Sequence, residues 1–170
     1  MTFQPITKAE ARGDSPALPR EALDAFARRG ETILARRNIT APSLPADAIA
    51  DAWKELQTPW GGATINVARG EVVTWLHSGY AVSIGESVTL PIDASETELA
   101  SAIAKVATDT NHVGVFRDED LQRIDVDAVF IARDAFDAYA VGVARHATGG
   151  AYNFATGNAL WIPHLASDAE

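Results

Sequence analysis

The 170-residue chain contains no cysteine. That absence excludes disulfides, thiolate zinc sites, iron–sulfur clusters and a cysteine nucleophile together. Ordinary hydrophobic burial must then hold the fold. Lysine is nearly missing too, standing only at Lys8, Lys54 and Lys105. With 14 bases against 23 acids the formal charge is −9, a surface that repels polyphosphate, so neither nucleic acid nor an anionic membrane is an expected partner. No apolar run approaches the roughly 18 residues of a membrane span. The opening Met1-Thr2-Phe3-Gln4-Pro5-Ile6 lacks the basic start and apolar core of a secretory signal. The expectation is a soluble, cytoplasmic protein. Glycine and proline, 12 and 8 residues, are too few for low complexity, and a 47% hydrophobic, 22% charged chain of this length reads as one globular domain.

Residues 1–19 carry Pro5, Gly13, Pro16 and Pro19 without apolar periodicity and read as a flexible arm before a single domain over 20–170. Leu23, Phe26, Ala27, Ile33 and Leu34 then recur at three- and four-residue spacing, which predicts a helix from Arg20 to about Arg37. Gly30 inside it either permits a close helix crossing or breaks the helix. Ile49, Trp53 and Leu56 mark a second, shorter helix ending before Pro59. The period changes at Thr64-Ile65-Asn66-Val67, and Arg69-Gly70 reads as a two-residue turn into Val72–Leu76. Further strands are expected at Tyr80–Ile84 and Val88–Ile92, separated by Gly85-Glu86, giving a meander. Ser95-Glu96-Thr97-Glu98 before Leu99, Ala102, Ile103 and Val106 is a capping box opening a helix. Strands follow at His112–Phe116, Ile124–Ala132, Tyr139–Arg145, Tyr152–Ala155 and Leu160–Ile162. This order predicts an α+β fold, an antiparallel meander sheet with helices packed on one face.

The two meanders share a spacing. Ile65–Gly70 matches Val129–Asp134, and Val72, His77, Tyr80, Gly85 and Pro91 match Val141, His146, Tyr152, Gly157 and Pro163. The pattern is that of a helix-plus-four-strand unit occurring twice, in halves 46–92 and 95–165, with pseudo-symmetry between them.

That duplication nominates His77 and His146 as catalytic residues and Arg69, Arg133, Tyr80 and Tyr152 as ligand-binding ones. Imidazole exchanges protons near neutrality, guanidinium holds anions through paired hydrogen bonds, and a phenol supplies an oriented donor. His146-Ala147-Thr148 resembles one lobe of the two-histidine phosphoesterases. His77-Ser78-Gly79 departs from that motif, with glycine where the hydroxyl residue belongs, so the chain is not assigned to that family. The four histidines are isolated, with neither His-x-His nor HExxH, and no metal or other cofactor is expected. Asp125 and Asp127 share one side of a predicted strand and read as its solvated face. Nucleophile-elbow and phosphate-loop motifs are absent.

The leading expectation is a non-catalytic recognition or accessory protein of inhibitor or immunity type, whose acidic surface meets a protein partner or a second copy of itself. The alternative is a cofactor-free hydrolase or phosphoesterase acting on a small anionic ligand through His77 and His146. A third is a carrier of a small apolar ligand held between sheet and helices.

Overall fold

A computed structural model describes residues 16–74, 76–147 and 150–165. Four α-helices and nine strands occur among them, and the pairing is mostly antiparallel, in an α+β architecture. The strands are β1 (Ala17–Leu18), β2 (Gly62–Asn66), β3 (Glu71–Val72), β4 (Tyr80–Pro91), β5 (His112–Asp118), β6 (Arg123–Ala132), β7 (Gly150–Asn153), β8 (Ala159–Trp161) and β9 (His164–Leu165). The helices are α1 (Arg20–Ala35), α2 (Ala46–Glu55), α3 (Glu96–Val106) and α4 (Ala135–Ala144).

These elements fall into two compact units, to both of which β4 and β6 contribute residues. The unit made of Ile39–Leu76 and Gly85–Phe130 carries the strand order β3-β2-β5-β6, with the second half of β4 beside β6. Its register places Ile65 opposite Val113, Val113 opposite Ala128, and Val115 opposite Val126. Directly opposed residues share a sheet face, and this face is buried: Ile65, Val113 and Val126 are fully inaccessible. Helix α2 packs on β2 and α3, and the two helices bury Ile49, Ala52, Leu99 and Ile103. The capping box is present as expected: the Ser95 hydroxyl accepts from Glu98 N, and the Glu98 carboxylate accepts from Ser95 N at 2.7 Å.

The other unit holds residues 16–38, 77–84 and 131–165 among those described. Here the first half of β4 pairs with β7 and β7 with β8, while β1 pairs in parallel with β9. Helices α1 and α4 cross, and Gly30 is the reason they can: a Cβ there would overlap the Ala140 carbonyl and the Ala144 methyl. Of the two roles open to Gly30, close crossing is the one it takes.

Three expectations are corrected, and a fourth is not confirmed. The segment Tyr139–Arg145 is not a strand but most of α4. Its alternation covered only Tyr139, Val141 and Val143, with small apolar residues between them, so there was no polar face. Asp134 meanwhile caps a helix by accepting from Asp137 N at 2.9 Å. Gly85-Glu86 is not a turn either; β4 runs unbroken through it, because nothing forces a glycine to bend when neighbouring strands supply partners. The Arg69-Gly70 turn is longer than two residues: Asn66 pairs with Glu71, and the Asn66 side chain accepts from Ala68 N and Arg69 N to close the loop. The repeat is not confirmed. Residues 46–92 run helix, three strands, whereas 95–165 contain α4 between β6 and β7, and matched Val72 and Val141 lie in a strand and a helix. Within the proposed arm, Pro16–Pro19 belong to the described residues, with Ala17 opposite His164; residues 1–15, Trp75, Thr148, Gly149 and 166–170 lie outside them.

Candidate functional site

The α1–α4 layer gathers most of the unusual chemistry. Phe136, in the first turn of α4, is 53% exposed, the most exposed large hydrophobic side chain among the described residues. The Phe26 ring of α1 lies 4.8 Å from it and makes an edge contact with Tyr139 at 6.1 Å. The Arg29 guanidinium sits 4.9 Å over the Phe136 ring and is held there by the Asp137 carboxylate at 2.6 Å. An aromatic pair, a stacked arginine and its counter-ion thus share one surface. Such composition is what protein interfaces concentrate at their anchors.

In the same unit a cavity of about 320 Å³ opens where α1 begins and α4 ends. Arg20, His146 and His164 reach its wall from three elements, Asp24 stands one helical turn from Arg20, and Leu23, Val143 and Pro163 supply apolar lining. His146 follows α4 with φ +50°, and Ala147 N donates to Gly142 O at 2.9 Å, closing the helix in the left-handed cap that glycine ordinarily fills.

The unit made of Ile39–Leu76 and Gly85–Phe130 carries a polar sheet face. Thr64, Gly114 and Asp127 are consecutive cross-strand partners. Burial raises the Asp127 carboxyl above its ordinary value, opposed by a hydrogen bond from Ser87. Asp125 is ion-paired with Arg123 at 2.9 Å and accepts from the Thr89 hydroxyl at 3.1 Å. Burial, followed by the nearby Arg69 guanidinium, lowers the His112 imidazole below its ordinary value. No group of acids and histidines among the described residues is arranged to hold a metal ion. A shallow hollow of about 330 Å³ lies between β4 and α3, floored by Val88, Leu90 and Ala102.

The residues nominated by the sequence are distributed as follows. Arg69 is exposed in the β2–β3 turn, 3.6 Å from Glu71. His77 is exposed ahead of β4, and Tyr80 opens that strand opposite Asn153. Tyr152 pairs with Ala81 and makes an edge contact with Phe154 at 5.2 Å; burial pushes its phenol up. Tyr80 and Tyr152 therefore lie on adjacent strands. Arg133 is exposed just before α4. His146 lines the cavity, but its histidine companion there is His164, and His77, Arg133, Tyr80 and Tyr152 are not among the lining residues. Phe26, Arg29, Phe136, Arg20 and His164 were not nominated as functional residues from sequence. The signal for Phe136 was present: Asp134 and Asp137 three apart mark a helix start, and a helix places Phe136, Tyr139 and Val143 on one stripe.

No family model, no curated protein and no solved structure matches this chain.

Proposed function

We propose that this chain is a non-catalytic recognition protein that binds a protein partner through the α1–α4 aromatic surface. The observation that carries the reading is Phe136, half exposed yet fixed between Phe26 and an ion-paired Arg29. Fixed aromatic and arginine side chains lose little freedom on binding and supply most of the energy of an interface. The formal charge of −9 selects for a partner of opposite sign during encounter. The hydrolase reading asks for His77 and His146 in one cleft, and the cavity containing His146 offers His164 in its place.

The test is capture on the wild-type protein, followed by reconstitution with the purified captured protein. Phe136→Ala is expected to weaken that complex roughly thirtyfold, the counterpart of about 2 kcal/mol. Leu121→Ala, which removes an exposed leucine from the β5–β6 turn, is expected to leave it unchanged. A complex indifferent to Phe136→Ala would overturn the reading.

A further inference from the structure

We infer that the cavity between the start of α1 and the end of α4 is a binding site for a small organic anion, a carboxylate carried on an apolar body. Two features of the cavity point the same way. First, its volume of about 320 Å³ lies at the lower end of the range of small-molecule sites, and its wall divides by chemistry. Arg20 and His146 bring hydrogen-bond donors from α1 and from two residues past α4, His164 of β9 stands beside them on the wall, and Leu23 and Val143 bring hydrocarbon. A carboxylate matches a guanidinium through two parallel hydrogen bonds, and an imidazole adds a third donor. Arg20 makes no ion pair with any described residue, although Asp24 is one turn away on the same helix.

Second, His146 occupies a backbone position that glycine would fill with less strain. Its φ of +50° lies in the left-handed region, which strains a side chain and leaves glycine nearly free. The cap bond from Ala147 N to Gly142 O would form as well with glycine. Backbone strain of this kind is found at ligand sites, and of the described non-glycine residues at positive φ, Trp60, Gln122 and His146, it is His146 that stands on the cavity wall. The chain as a whole is strongly acidic, so an anion is drawn to this place by its local donors and not by the overall field.

The site is separate from the aromatic surface of the proposed function, and its test does not depend on a protein partner. Hexanoate is titrated into the full chain while the ring protons of His146 and His164 are followed by NMR, with hexylamine and inorganic phosphate as comparison probes. Saturable shifts are expected with hexanoate at lower concentration than with either comparison. Arg20→Ala is expected to weaken hexanoate about tenfold, whereas Asp24→Asn, by removing the one acid that the described residues bring to the wall, is expected to strengthen it. His146→Gly is expected to raise the melting temperature and still weaken hexanoate, which separates loss of the site from loss of the fold. Phe136→Ala is expected to leave the titration unchanged. Absence of saturable shifts, tighter binding of hexylamine or phosphate, or weakening by Asp24→Asn would each overturn the inference.

Discussion

Single side chains in this protein report their surroundings through proton affinity. Asp127 sits on a strand whose neighbouring residues shield it, and burial outweighs the Ser87 hydrogen bond, so its folded carboxyl holds its proton above the ordinary value of 3.8. In that window the native state binds more protons than the unfolded one, and stability is lost as pH rises through the folded value. At neutral pH the charged carboxylate is therefore a cost. Asp127→Asn keeps an acceptor for Ser87 without the charge and is expected to raise the melting temperature at pH 7, with the gain vanishing below pH 4. The same gain at both pH values would show that charge is not its origin. His112 acts in the opposite sense: its lowered imidazole means that the folded state favours the neutral ring, so stability falls as pH drops below 6.5. The sequence placed Asp127 correctly beside Asp125 on the strand face opposite the buried Ile124, Val126 and Ala128. Burial by residues distant in the chain, Ser87 among its neighbours, was not written in the local spacing.

At the scale of elements, the helices show how much depends on a few atoms. Ser95 and Glu98 satisfy each other's backbone donors, and this motif, complete within four residues, is readable from sequence because it needs nothing else. The α1–α4 crossing is different. It depends on Gly30 meeting Ala140 and Ala144, over a hundred residues away. Gly30→Ala improves intrinsic helix propensity by about 1 kcal/mol, but adds a methyl where backbone stands. Overpacking of this kind costs typically 1–3 kcal/mol. Net destabilisation is expected in urea denaturation; a gain would mean that the helices separate without penalty. Segment 139–145 shows why one element was misread. Tyr139, Val141 and Val143 fit a strand by period, yet Asp134 caps a helix there, α1 meets its small residues Ala140 and Ala144 at Gly30, and Gly142 faces Ile162. Three alternating positions do not decide between periods of 2 and 3.6 when the intervening residues are alanine and glycine.

For the molecule as a whole, charge is the property with the longest reach. A net charge of −9 acts beyond any contact surface, but only to about 8 Å at physiological salt. If its partner is basic, the association rate is expected to fall as sodium chloride rises, with dissociation changing far less, as stopped-flow mixing would measure. An association rate that does not respond to salt would leave the aromatic surface as the sole determinant. Charge, the lack of thiol chemistry, the capped α3, the periodic α1 and the alternating β6 were all determined by the sequence itself. Each is a sum over composition or a match within about one turn of chain, where the interacting groups are already neighbours. The tertiary structure alone decided that β4 continues as a strand at Gly85, that α4 is a helix against α1, and that His146 shares a cavity with Arg20 and His164. Those outcomes depend on which distant segments exclude water from one another, and hydrophobic burial carries no directional label that chain spacing could record.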